Sequence, residues 1–202
     1  MIFKIIKNLS IILLIIFSFQ PNNKADDIKD FEIEEMSIGD SLLDFFTENE
    51  IKSKISLYYK NNKFASFVLN NQPNFKTYNI VQLTFKPSDK KYKLHSIEGH
   101  IEFPNDMKNC YKKMDTIVNE LSDIYKDNSE KRDKQTWNHR ADETKKTKIT
   151  SVVFYFDTGG GTQVACTDMG YEYSKKTGRV DYLLVSIDSK EFHDFLLNEQ
   201  YK

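Results

Sequence analysis

Residues 149–173 constrain the fold more than any other stretch, because they predict two paired strands around a glycine-rich turn. An apolar run at 152–156 ends in Asp157, Thr158 and three glycines, and a second run follows at 163–166. Short runs of β-branched and aromatic residues separated by glycines are typical of an antiparallel hairpin. Both sides of the first run are apolar or aromatic, so we expect this strand mid-sheet with both faces covered.

The start of the chain predicts export. Lys4 and Lys7 precede an apolar core at 9–19, and a polar stretch follows at 20–23. This order is that of a secretory signal peptide, residues 1–25, with cleavage expected after Ala25. A retained anchor is the alternative, although a bilayer-spanning helix needs about 20 apolar residues. We therefore predict a soluble periplasmic protein with one domain over 26–202.

Composition narrows the class of partner. Without residues 1–25, 26 basic side chains face 30 acidic ones, a net charge of −4. A mildly acidic protein is poorly suited to phosphate-backbone binding, so we expect no nucleic acid as partner. We also expect no cofactor and no metal, because no His-x-x-x-His or Cys-x-x-Cys occurs.

The only two cysteines, Cys110 and Cys166, are an even pair in a chain with an export signal. That context favours a disulfide over two free buried thiols.

The pattern of the remaining chain predicts an α+β fold, an antiparallel sheet (or sheets) covered by amphipathic helices. Alternation indicates an edge strand at 31–36 and further strands at 78–85, 93–103 and 180–188. Two α-βββ units over 31–103 and 104–202 are compatible with this order. The pattern resembles small periplasmic modules of the outer-membrane-assembly-lipoprotein and β-lactamase-inhibitor type, and also cystatin-like folds, in shape alone.

Three helices are predicted. The first follows Ser37 and buries Leu42, Leu43, Phe45 and Phe46. The second begins after Asp106, and its apolar side chains recur at three and four residues. The third covers 190–199 behind Ser189 as N-cap. Residues 126–148 show no periodicity and predict a long mobile connection, while 175–178 predict a turn. The apolar stripe of the second helix is formed by Met107, Cys110, Met114, Ile117, Leu121 and Ile124.

Residues 31–46 follow the pattern F-x-I-E-x-M-S-I-G-D-S-L-L-x-F-F. This stretch resembles the mature start of a group of small exported bacterial proteins of unassigned function. Members tend to have glycine where this chain has Glu35. The resemblance implies export and a shared fold, but no activity.

Three short motifs are candidates for a catalytic or phosphate-binding site. Asp157-Thr158-Gly159 resembles the aspartic protease signature, but it occurs once and a hairpin turn explains it better. The glycine triplet lacks the following helix and the lysine of a phosphate-binding loop. Glu98, His100 and Glu102 share one face of a strand and can orient a proton transfer, although paired charges on a solvated face are commoner.

Aromatic side chains are the best candidates for binding. We predict ligand or partner contacts at Trp137, Tyr155 and Tyr182, with pinning of its loop as the alternative role of Trp137. No catalytic residue can be named. The favoured function is a non-catalytic periplasmic binding or assembly-support module for another periplasmic or envelope protein. The alternatives are a periplasmic hydrolase with scattered site residues and a small-ligand carrier.

Overall fold

Nine strands form one antiparallel sheet, and four helices pack with it, in the computed structural model, which describes residues 31–200. The α+β prediction is therefore confirmed. A separate two-stranded hairpin precedes the sheet. The helices are α1 (Glu48–Lys54), α2 (Met107–Tyr125), α3 (Tyr171–Thr177) and α4 (Lys190–Phe195).

The hairpin strands are β1 (Glu32–Ile33) and β2 (Met36–Ser37). The sheet contains β3 (Leu57–Tyr58), β4 (Ala65–Asn70), β5 (Ile80–Phe85), β6 (Leu94–Glu102), β7 (Ser129–Lys131), β8 (Gln135–Asn138), β9 (Lys148–Phe156), β10 (Gly161–Asp168) and β11 (Tyr182–Asp188). The spatial order is β3-β4-β5-β6-β11-β10-β9-β7, and β8 lies beside β7 along the outer edge of β9.

The strands predicted at 78–85, 93–103 and 180–188, and the hairpin at 152–166, are confirmed. Strands β4–β6 and strands β9–β11 are each consecutive antiparallel neighbours, and the two sets meet at the pairing of β6 with β11. The division of the chain into two α-βββ units stays a prediction, because strand order alone does not test it.

One face of the sheet is apolar and carries the core. Side chains such as Phe67, Leu83 and Ile97 pack with the β1–β2 hairpin and Ile51 of α1. Farther along the same face, α2 covers Val164 and Leu183. The alternation that predicted these strands holds because every second side chain enters this core.

Helix α2 is fixed to the sheet by a disulfide between Cys110 and Cys166, as predicted. The Cα atoms are 6.1 Å apart, and both cysteines are fully buried. Asp106 caps the helix by accepting a hydrogen bond from the backbone N–H of Asn109. The bridge therefore joins the best amphipathic helix to the strand that follows the glycine turn.

The helix predicted after Ser37 is wrong. Ser41 instead caps a short 3₁₀ turn at Leu42–Asp44, which leaves Leu43 and Phe45 each 42% exposed. Thr47 then starts α1 with a capping box that it forms with Glu50. Two competing N-caps outweighed the apolar spacing of the segment.

The edge strand predicted at 31–36 is also wrong, because the chain turns back on itself there. Glu34 and Glu35 have φ values of 51° and 67°, in the left-handed region that favours glycine. Glu35 thus holds a backbone conformation that glycine adopts without strain. Its carboxylate pairs with Lys76.

Residues 126–148 are not the predicted structureless connection. β7 and β8 both pair with β9, and the whole of β8 is exposed. Because neither face of these short strands is buried, they show no apolar alternation in the sequence.

Two smaller predictions are also corrected. Residues 175–178 are not an isolated turn but the end of α3, which stops at Gly178 with φ 70°. Strand β9 lies inside the sheet, but α2 covers only one of its faces, and Val153 and Tyr155 are half-buried on the other. The helix behind Ser189 is confirmed, and a wider turn at Leu196–Gln200 continues it.

Candidate functional site

The sheet face opposite α2 is polar, and we call it the polar face. It is formed by the alternate residues of β4, β5, β6, β11, β10 and β9 that point away from the core, and by the residues of β7 and β8 that share their face. Its ionisable strand residues include Glu98, His100, Glu102 and Asp188. Helix α4 lies at one end of this face, where Phe192 and Phe195 pack on Phe64 just before β4. In the centre of the face, Ser96, Ser186, Ala165 and Ser151 are buried.

A cavity of about 240 Å³ opens at the other end of the polar face. It lies between strands β4–β6 and the segment 178–180 that leads into β11. Its lining residues are Val68, Asn70, Ile80, Gln82, His100, Glu102, Gly178, Arg179, Val180 and Tyr182.

His100 lies at the centre of the interactions in this region. Its Nε2 atom is 2.5 Å from Oε1 of Glu98, and its ring lies parallel to that of Tyr182 with centroids 4.7 Å apart. The imidazole is therefore held by a carboxylate at its edge and an aromatic ring at its face. The structure brings Glu98 and His100 together as the sequence suggested, and it places Glu102 on the cavity wall.

Asp188 lies on the same face, across from Ser96 of β6. Burial raises the pKa of this carboxyl to about 7, a hydrogen bond with Ser96 works in the opposite direction, and the charge of Glu98 raises the pKa further. Asp188 therefore changes its charge near neutral pH, which an ordinary aspartate does not do.

A second histidine cluster lies where α4 begins. Nδ1 of His95 is 3.1 Å from Oγ of Ser189 and 3.8 Å from Oε2 of Glu191. A nucleophile triad requires the serine and the acid on different ring nitrogens, but here both meet the same atom. Ser189 Oγ also accepts the backbone N–H of Phe192 as the N-cap of α4. This cluster is a structural anchor for α4.

The three aromatic residues predicted to bind all lie on the polar face, but they do not converge. Trp137 is opposite Ile149, in the cross-strand row that continues to Thr167 and Tyr182. Three strand spacings, about 14 Å, separate Trp137 from Tyr182. Tyr155 lies six residues along β9 from Ile149, about 20 Å away.

Their surroundings differ as well. Tyr182 lines the cavity and is 8% exposed, whereas Trp137 is 39% exposed and is not among the cavity residues. The ring centroids of Tyr155 and His193 of α4 are 5.5 Å apart. The guanidinium carbon of Arg132 lies over the Tyr155 ring, 5.6 Å from its centroid.

The geometry of the hairpin turn at 157–160 explains the protease-like motif Asp157-Thr158-Gly159. Gly159 and Gly160 have φ values of 88° and 84°, and the N–H of Gly159 bonds to the carbonyl of Phe156. A Cβ at position 160 would lie 2.4 Å from the carbonyl oxygen of Asp188. The glycines are therefore required by the turn itself.

Within residues 31–200, no three His, Cys, Asp or Glu side chains are arranged to hold a metal ion. No helix of this part of the chain is long and apolar enough to span a bilayer. The predicted signal peptide lies outside the described residues.

Sequence reasoning missed Asn70, Gln82 and Arg179 as cavity residues and Asp188 as a shifted acid. Gln82 alternates with Val81 and Leu83 in a half-buried strand, which places it on the face away from the core and is the one sequence signal for this face. Asn70 and Arg179 stand at an exposed strand end and in a turn, where no pattern distinguishes them from other polar residues.

No protein-family model matches this chain, and no curated protein or solved structure does.

Proposed function

We propose that this chain is an exported, non-catalytic binding module that contacts another envelope protein through the polar face of its sheet. The contact surface is the half of that face formed by β7, β8 and β9. The observation that carries the proposal is Trp137, which is 39% exposed on β8 in this half of the polar face.

The residue types of this half support protein binding. Protein interfaces are enriched in tryptophan, tyrosine and arginine and depleted in lysine. The sequence has 26 lysines and only 3 arginines, yet Arg132 lies over the ring of Tyr155 on this half of the polar face, and Trp137 lies farther along the same half. The lysines of the paired strands, Lys131 and Lys148, lie on the opposite face of β9.

Export is supported by two observations. The first 25 residues have the order of a secretory signal peptide. The buried disulfide between Cys110 and Cys166 is of the kind that persists in oxidising compartments such as the periplasm. Alkaline phosphatase fused after Ala25 should therefore be active in cells, and an inactive fusion would argue against export.

A photo-crosslinking side chain tests the contact surface. Gln135 is exposed and points to the polar face next to Trp137, whereas Lys112 is exposed on α2 at the other side of the sheet. We expect a discrete adduct in cells from position 135 and none from position 112. The adduct should weaken when Trp137→Ala or Arg132→Ala is added. Equal adducts from both positions, or none from position 135, would contradict the proposal.

A further inference from the structure

We propose that the cavity at the β4–β6 end of the polar face is a saccharide site that takes one neutral sugar unit. This inference goes beyond the proposed function, because it concerns the other half of the face and a ligand that is not a protein. It rests on the polar lining of the cavity, its charge, its apolar wall and its size.

The polar lining side chains all end in flat groups that form several hydrogen bonds. They comprise two amides, an imidazole, a carboxylate and a guanidinium, which together donate and accept. A sugar hydroxyl also donates and accepts, so neighbouring hydroxyls are bound best by such a mixture. The five residues are Asn70, Gln82, His100, Glu102 and Arg179.

Most of these groups are free to bind a ligand. Among the described residues, the side chains of Asn70, Gln82, Glu102 and Arg179 form no hydrogen bond and no ion pair. The main-chain N–H of Glu102 and that of Arg179 do have partners, on Asn79 and Thr177. The backbone is therefore fixed while the functional head groups remain available.

The charge of the lining favours a neutral ligand. Glu102 and Arg179 contribute opposite unit charges to the same cavity, and His100 is already held by Glu98. A site for an anion or a cation would carry an excess of one sign, because an unbalanced charge must be compensated by its ligand. Here the two charged side chains that line the cavity, Glu102 and Arg179, offset each other without one.

Apolar surface completes the lining. Val68, Ile80 and Val180 contribute aliphatic contacts, and the stacked rings of Tyr182 and His100 form a flat wall. A sugar ring has apolar C–H faces and a polar rim. Small-molecule sites of this kind combine apolar and aromatic surface with a few convergent polar groups.

The volume matches one sugar unit. Sites for drug-sized ligands occupy roughly 300–1,000 Å³, so 240 Å³ is smaller than most. At roughly 30 Å³ per water molecule, the cavity holds about eight waters. It is open on one side, so either a free monosaccharide or the terminal unit of a glycan chain can enter.

Nuclear magnetic resonance of the ¹⁵N-labelled mature protein tests the site with purified material alone. The probes are glucose, galactose, N-acetylglucosamine and the β-1,4-linked N-acetylglucosamine trimer, with leucine and inorganic phosphate as charged controls. We expect at least one sugar to shift the amides of Gln82, Glu102 and Arg179 saturably, in the millimolar range. Tighter binding of the trimer identifies a glycan chain as the source, and equal binding identifies a free sugar. No saturable sugar, or saturation by leucine or phosphate alone, would overturn the proposal.

Matched variants separate the cavity from the rest of the face. Gln82→Leu and Arg179→Met each remove hydrogen bonds at similar size, and each should weaken sugar binding about tenfold. Gln163→Leu on the same face and Arg140→Met in the connection after β8 change the same residue types outside the cavity and should leave affinity unchanged. Arg179 is exposed, so its variant remains a valid test if Gln82→Leu fails to fold. Equal losses of sugar affinity in the cavity variants and in the control variants would refute the site. A crosslinked adduct that still forms at position 135 would show that the proposed function survives that failure.

Discussion

The ring of Tyr78 lies directly against the backbone of Gly99, so that a Cβ at position 99 would be 2.5 Å from Cδ1 of Tyr78. Gly99 is buried in β6, and Tyr78 packs against both large clusters of the core. Burial raises the pKa of Tyr78 far above that of an exposed tyrosine, with a further contribution from the charge of Glu34. The glycine therefore makes room for the ring that connects the two halves of the core.

We predict that Gly99→Ala lowers the free energy of unfolding by about 1–3 kcal/mol, the usual cost of overpacking. Urea denaturation of the purified protein measures the change. In a Tyr78→Ala background the same substitution should cost clearly less, because the clashing ring is gone. An equal cost in both backgrounds would show that the two residues do not compete for space.

Removal of the disulfide should lower the free energy of unfolding more than Gly99→Ala does. The bridge closes a segment of 56 residues, which corresponds to about 4 kcal/mol on the chain-entropy model. We expect Cys110→Ala combined with Cys166→Ala to lose about that amount, and dithiothreitol to lower the denaturation midpoint of the wild type alone. Native mass spectrometry that found both thiols free in the purified protein, prepared without reductant, would contradict the bridge.

Helices and strands with a long apolar repeat are predicted correctly from the sequence, whereas short exposed strands are not. β5, β6, β11 and α2 follow their alternation or stripe because one side of each enters a large core. β7 and β8 bury almost nothing, so only their hydrogen bonds to β9 define them. Local capping at Ser41 and Thr47 likewise overrode the apolar spacing of the segment after Ser37.

The candidate site was predictable only in part. Alternation placed Glu98, His100 and Glu102 on one strand face, and their neighbours follow from the pairing of β6 with β5 and β11. Sequence alone does not give that pairing, which brings residues about eighty positions apart into one cavity. Arg179 reaches the cavity because α3 ends at Gly178, and the sequence predicts only a turn at 175–178.

Asp188 should make stability fall as the pH rises. Its pKa is about 7 in the folded protein against 3.8 for an ordinary aspartate, so the native state binds the extra proton between those values. The stabilising contribution is complete below about pH 4 and is lost as the pH rises through about 7, by at most about 4 kcal/mol. We expect Asp188→Asn to flatten this dependence and to be more stable than wild type at pH 8. Parallel pH profiles of the two proteins in urea denaturation would argue against it.

Asp142, in contrast, should make stability fall as the pH is lowered. Burial works to raise its pKa, but hydrogen bonds from Thr144 and Thr147 outweigh that effect and hold the pKa well below its usual range. Its contribution is therefore present above the unfolded pKa of 3.8 and is lost as the pH falls through the lower folded value. We predict that Asp142→Asn lowers the thermal midpoint at pH 7 and that the difference narrows below pH 4. A difference that stayed constant from pH 7 to pH 2 would assign the loss to packing alone.

Trp137 reports on how firmly β8 is attached, because it is the only tryptophan of the sequence. The neighbouring Thr136 hydroxyl lies 2.8 Å from that of Thr150 in β9, which anchors the strand. Thr136→Val keeps the shape but removes this bond, at a cost of about 1 kcal/mol. We expect iodide to quench Trp137 partially in the wild type, where it is 39% exposed, and more strongly in the variant. Ser53→Ala on α1, a helix that packs at the β4 end of the sheet, removes a hydroxyl that bonds to a helix carbonyl and should leave quenching unchanged. Equal quenching in all three proteins would mean that the hydroxyl pair of Thr136 and Thr150 does not hold the strand.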